Sequence, residues 1–185
     1  PGLQGGPHNA ITAGIAIAAA EATSPSFKTY ASQVRKNADV LASTLMERGV
    51  KLVGDGTENH LMLIDLTNYS DGLGTQVAYA MDVAGMYANR NTVPDEPCSP
   101  FYPSGIRIGT PLITTRGMKE AEMVKIADWI AQVIEIVKDH KLPEVRKERR
   151  QFVANFQKKA DANEQLLAIR KEVIATASQF PIFAG

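Results

Sequence analysis

Arg107 stands at the middle of Gly105-Ile106-Arg107-Ile108-Gly109, a run that alternates with period two. In an extended strand Ile106 and Ile108 therefore face one side and the guanidinium faces the other. A planar guanidinium fork suits a carboxylate held by two parallel hydrogen bonds. The same residue type would also serve as the partner of an acidic neighbour across a domain interface, and the residue alone leaves both readings open. The glycines on either side permit close approach of a ligand or a second backbone. This run lies inside a longer polar stretch, Asn89 to Gly117, punctuated by Pro and Gly. Such density of turn residues favours a fixed shape, and a connection of this length is expected to be a binding loop. A second candidate is Gly5-Gly6-Pro7, just ahead of an apolar helical stretch. Free N–H groups on glycine backbones at a helix start form a donor site for an anion such as phosphate, although glycines there also simply turn the chain.

Other chemistries lack their residues. The sequence has no closely spaced Cys/His set for zinc, no Gly-rich loop ending in Lys-Ser/Thr, and no nucleophile elbow. The three histidines, His8, His60 and His140, are far apart in sequence. His60 follows the turn Gly54 to Asn59 and is read as a structural histidine bonding that turn rather than a catalyst. Cys98 lies in a Pro-rich loop with no adjacent base and is not expected to act as a nucleophile.

The elements that must position these groups follow from periodicity. Residues His8 to about Thr23 are rich in Ala and Ile, which predicts a helix buried on most sides. Ser24-Pro25 marks an N-cap and a first-turn proline, and Phe27, Tyr30, Val34, Ala38, Leu41 and Leu45 carry a helical period up to the stop at Gly49. Strands are predicted at Lys51–Val53, His60–Leu66, Met86–Asn89 and Gly105–Gly109, with helices at about Thr75–Ala84 and Met118–Lys138. The tail from Glu144 to Thr176 reads as a charge-rich helix broken near Asp161–Asn163, docking through Phe152, Val153, Phe156, Leu167, Val173 and Ile174. Its mixed-sign run Arg146–Arg150 reads as a solvated face. Helices and strands thus interleave as an α/β sandwich.

Composition sets the frame. With 185 residues, 44% hydrophobic and 22% charged, the chain fits one domain with a substantial core. Twenty basic residues balance twenty acidic ones, so the overall field favours neither nucleic acid nor an anionic membrane. A single cysteine rules out an internal disulfide and fits a reducing, cytoplasmic setting. The start at Pro1 without methionine suggests part of a longer chain.

Several motifs in fixed order carry a family resemblance: PGLQGGPH at 1–8, GTENHLMLIDL at 56–66, NRNTVP at 89–94, SPF at 99–101 and SGIRIGTPLITTRG at 104–117. Together they resemble the C-terminal portion of serine hydroxymethyltransferase, and Gln179 to Ala184 resembles the family's terminal segment. The resemblance implies a fold-type I, aspartate aminotransferase-like enzyme dependent on pyridoxal phosphate. Residues 1–23 would then close a large coenzyme domain, and 24–185 would form a small α/β domain with a helical tail. It implies interconversion of serine and glycine with transfer of the one-carbon unit to tetrahydrofolate, in a homodimer with shared active sites. By position, Gly5 and Gly6 resemble the pair that contacts the coenzyme phosphate of the neighbouring subunit. Arg107 resembles the arginine that grips the substrate α-carboxylate, while Asn91, Ser99, Pro100 and Phe101 resemble part of the folate site. The family's coenzyme lysine and its catalytic acid belong to an N-terminal half with no counterpart here, so the isolated segment is expected to be inactive. A non-catalytic complementing or interaction module of the same family is the alternative.

Overall fold

The computed structural model describes residues 2, 3 and 5–182. Helix α1 (Asn9–Ala22) is followed by α2 (Pro25–Glu47), β1 (Leu61–Asp65), α3 (Gly74–Val83), β2 (Asn89–Asn91) and β3 (Gly105–Gly109). Helices α4 (Pro111–Thr115), α5 (Glu120–Val137), α6 (Arg146–Asp161) and α7 (Glu164–Ala177) complete the chain.

The caps of α2 are those its sequence requires. Ser24 Oγ accepts from Phe27 N at 3.1 Å with Pro25 at the first helical position. At the other end Gly49 adopts φ +79°, and Val50 N reaches back to Leu45 O at 3.0 Å. The periodic residues Val34, Ala38, Leu41 and Leu45 are buried, chiefly against α5, whose own buried stripe runs Met123, Ala127, Ile130, Val133, Ile134 and Val137. Each Val, Leu, Ile or Met side chain so buried contributes about 1.5–3 kcal/mol.

The sheet is three-stranded and wholly antiparallel, in the order β1-β3-β2. In its ladder Ile64 lies opposite Ile106 and Met62 opposite Ile108, and this face enters the core. Leu63 lies opposite Arg107 and Asn89 lies opposite Arg107 on the other edge, so these side chains share the outer face. The strand expected at Lys51–Val53 is reduced to one bridge, Leu52 to Ile64, and Val53–Asp55 coils into a short 3-10 turn. Gly54 and Asp55, both at positive φ, take the chain out of the strand region there. The strand expected at Met86–Asn89 begins only at Asn89, after the turn at Gly85 (φ +81°), which holds Met86 N on Met81 O at 2.8 Å.

One expected burial is not met among the described residues of this chain. Helix α1 buries no residue, and Ile11, Ile15 and Ile17 are each more than 60% exposed. Among the described residues no surface buries its apolar side chains. The tail behaves as its pattern implies, with the break between α6 and α7 capped by Asn163, whose side chain accepts from Leu166 N at 3.0 Å. Phe156 is buried between Tyr79 and His140, ring centroids 6.5 and 5.0 Å away, and Tyr79 donates to Asp161 at 2.9 Å. Trp129 Nε1 donates to Glu172 at 2.9 Å, tying α7 to α5. Of the expected docking residues, Ile174 alone is more than half exposed. Replacing Phe156 with alanine removes the main anchor of α6 and is expected to cost about 3–5 kcal/mol in urea denaturation. An unchanged midpoint would show that the tail contributes nothing to the cooperative unit.

Candidate functional site

Strand β3 is fixed in place by what its neighbours leave no room for. A Cβ on Gly105 would stand 2.8 Å from Asn91 O, 2.7 Å from Val93 Cγ1 and 3.0 Å from Ile64 O, and one on Gly109 would stand 3.0 Å from His60 O. Beyond the strand, Thr110 Oγ1 donates to Val34 O at 2.9 Å. Buried Asn37 donates to Thr114 Oγ1 at 2.8 Å and to Met118 O at 3.0 Å. These bonds pin the segment after β3 to α2. With Ile106 committed to the core, Arg107 must emerge on the outer face, and it is exposed.

Among the described residues Arg107 forms no ion pair. The acid nearest to it along that face of the ladder, Asp65, sits opposite Gly105 and is already engaged. Lys51 Nζ lies 2.7 Å from Asp65 Oδ2, while Thr67 N and Thr67 Oγ1 donate to Oδ1 at 2.9 and 2.7 Å. Burial works against the Asp65 charge, but the bonds from Lys51 and Thr67 outweigh it and hold the carboxyl below its ordinary value. Among the described residues, then, no acid pairs with Arg107.

Asn91 shares the outer face with Arg107, since it lies opposite Gly105, and its amide donates to Thr92 O at 2.8 Å. From Asn91 the chain runs directly into the segment that carries Ser99, Pro100 and Phe101. Ser99 O accepts from Tyr102 N at 2.9 Å, closing a turn that leaves Pro100 exposed and Phe101 82% exposed. Gly5 and Gly6 stand apart: no atom lies within 4 Å of where a side chain would begin on either, and no element closes on them. Arg107, Asn91 and the turn at 99–102 are thus linked through one strand pair and its connection, and the glycines are not.

The residue that organises this connection was not legible as such. Glu96 accepts from Val93 N at 3.2 Å, Cys98 N at 3.0 Å, Ser104 N at 2.9 Å and Ser104 Oγ at 2.6 Å. The Ser104 hydroxyl in turn accepts from Gly72 N at 2.8 Å. One carboxylate therefore draws together both ends of the loop and joins it to the start of α3. An acid beside Asp95 and among prolines in PDEPCSPF carried no pattern naming its partners. The structure also adds α4, which hid inside the Pro/Gly-rich stretch, and corrects His60. The turn before β1 is bonded by the side chains of Thr57 and Asn59 and by Arg35, while His60 contributes its backbone carbonyl to Thr110 N at 3.1 Å. Cys98 is half-buried; burial is the largest influence and pushes its thiol up, away from the reactive thiolate.

Burial also opposes the Glu96 charge, yet the bonds from Ser104, Cys98 and Val93 prevail and lower its pKa from the ordinary 4.5. A depressed folded-state pKa stabilises the fold at all pH above the unfolded value, and that contribution disappears as pH falls through the folded value. Glu96→Gln is expected to lower stability by about 1–3 kcal/mol near neutral pH. The gap from the parent should close in acid, below about pH 4.5. Thermal melting of both proteins across that range checks this, and a pH-independent gap would contradict it.

Residues 1–130 match the family model described as serine hydroxymethyltransferase. Over 134 residues the chain is 57% identical to serine hydroxymethyltransferase of Acidothermus cellulolyticus, covering 72% of this chain and 31% of that protein. It is 43% identical over 183 residues to the Methanospirillum hungatei protein of the same name (99% and 38%) and 50% identical over 139 residues to that of Sorangium cellulosum (75% and 33%). The chain spans about a third of the length of these curated relatives. With residues 1–130, more than half of its length, matched by the family model, this chain belongs to the serine hydroxymethyltransferase family.

Proposed function

We propose that this chain is the C-terminal portion of a pyridoxal phosphate-dependent enzyme that interconverts serine and glycine and exchanges the one-carbon unit with tetrahydrofolate. The observation that carries this reading is Arg107, an exposed guanidinium on the outer face of the sheet, free of any acidic partner among the described residues, in a chain of this family. A fork held out on a rigid central strand suits recognition of a free carboxylate by two parallel bonds. The amino-acid substrate supplies that group. Asn91 can both donate and accept through its amide, which suits the edge of a pteridine ring, while Pro100 and Phe101 offer apolar surface for its faces.

The residues present fit the phosphate end of the coenzyme. Gly5 and Gly6 offer unobstructed backbone, and α1 begins just beyond them with no side chain capping its first N–H groups. Open space around them agrees with a phosphate held mainly by another subunit of a homodimer. When bound, the coenzyme supplies the electron sink for bond cleavage at the amino acid's α-carbon. This chain's part is to fix the substrate carboxylate through Arg107, to orient folate through Asn91 and the 99–101 turn, and to contribute donors to the phosphate. The lysine and the acid–base groups fall, on this reading, in the part of the relatives' length that this chain does not span. The segment alone is then inactive, and exposed α1 is the element that meets the rest of the protein.

Two substitutions in the full-length protein test the assignment. Charge-assisted hydrogen bonds are worth roughly 1.5–3 kcal/mol, so Arg107→Ala is expected to weaken glycine binding by about one to two decades. Arg107→Lys should not restore it, because a single ammonium lacks the fork. Glycine titrations read beside melting temperatures decide the matter, and normal affinity in Arg107→Ala would end the carboxylate role. Asn91→Ala is expected to raise the folate requirement while glycine affinity holds, whereas equal loss of both would mark a folding defect.

A further inference from the structure

Helix α6 lies beyond the stretch matched by the family model, which stops at residue 130, yet its first turn touches the loop that carries Ser99, Pro100 and Phe101. The guanidinium carbon of Arg149 stands 5.8 Å from the centre of the Tyr102 ring, within the range over which a cation is attracted to an aromatic face. Arg149 Nε donates to Pro143 O at 2.9 Å, which fixes the guanidinium against the chain leading into the helix. The rest of the charged run is solvated, with Arg146, Lys147, Glu148 and Arg150 all exposed and Arg149 alone half-buried. A second contact reinforces the first. A Cβ on Gly72 would stand 2.5 Å from Leu142 Cδ1 and 3.2 Å from both Cys98 Sγ and Tyr102 O, so the approach to α6 and the loop converge there. Glu96 binds the loop at Val93, Cys98 and Ser104 but offers no bond to residues 99–102. The part of the loop that Glu96 leaves unheld is the part that Arg149 touches.

We propose that Arg149 is a positioning residue for the folate-side turn: by lying against Tyr102 it holds Ser99–Phe101 in place for the pteridine, so that the tail serves the site without touching the ligand. The proposal rests on the reading of that turn as part of the folate site. Tyr102 passes the restraint on through the adjoining peptide to Phe101 and through its N–H to Ser99 O at 2.9 Å. A cation–π contact at a partly exposed position shifts a local equilibrium by about two- to five-fold.

Two measurements test this separately. In the 185-residue chain, chymotryptic cleavage of the Phe101–Tyr102 bond reports opening of the turn, since Phe101 is exposed and the next bond is protected by Pro103. Arg149→Met is expected to speed this cleavage about two- to five-fold at an unchanged melting temperature, with Arg149→Lys recovering part of the protection. In the full-length enzyme, Arg149→Met and Tyr102→Leu should each raise KM for tetrahydrofolate by a similar factor, leaving kcat and glycine affinity as they were. The double variant should be no worse than either single one. Unchanged cleavage overturns the hold of Arg149 on the loop. Faster cleavage with an unaltered folate KM also overturns the positioning role, and then the fault lies in the folate reading of the turn rather than in the contact. Effects that multiply in the double variant overturn it as well, because the two residues would be acting independently.

Discussion

The position of β3 between β1 and β2 governs the functional face of this protein. Gly105 lets the Asn91 carbonyl approach to a distance that a side chain would not tolerate, and Gly109 admits the His60 carbonyl to one at which a side chain would be crowded, so the strand is bounded at both ends by its own lack of substituents. Between them the two-residue period does the rest. Ile106 is fully buried, and a slip of one residue would drive Arg107 into the core at the cost of an unpaired buried charge. The core and the candidate substrate contact are therefore two sides of one strand, and each enforces the other.

The loop between β2 and β3 is held by polar bonds rather than by apolar burial. Glu96 gathers three backbone N–H groups and a hydroxyl, and Ser104 relays that hold to Gly72 at the approach to α3. Without such a centre the loop's backbone donors would compete for water and the turn at 99–102 would have no fixed origin. Asp65 plays a parallel part at the end of β1, where Lys51 and Thr67 engage it and Arg107 is left without an ion pair among the described residues. The two carboxylates shape the face by what they occupy.

The two ends of the chain stand in opposite relations to this body. The tail brings its own anchors, Phe156, Leu166 and Ile169, and covers α3 and α5 so that little of its apolar surface is left over. Helix α1 brings isoleucines that no element among the described residues buries. A helix apolar all round is stable only inside something larger, which is consistent with a chain spanning about a third of its relatives' length.

Much of this was determined by sequence alone. The caps of α2, the stripe of α5, the break at Asp161–Asn163 and the alternation around Arg107 are local signals, set by backbone sterics and periodicity within a few residues, and they survive into the structure. Membership of the family was legible in the same way, because its motifs are contiguous strings. What tertiary structure decided concerns groups whose meaning depends on distant partners. The role of Glu96 required Ser104 and Gly72 to come within hydrogen-bonding distance, the freedom of Arg107 required Asp65 to be claimed by Lys51, and the link from Arg149 to Tyr102 joined residues 47 positions apart. The exposure of α1 belongs to this second kind, since an apolar stripe shows that a helix wants burial and cannot show whether the surface that buries it lies in the same chain. Hydrogen bonds and ion pairs act over a few ångströms of space without regard to separation in sequence, so they become visible only when the chain has folded.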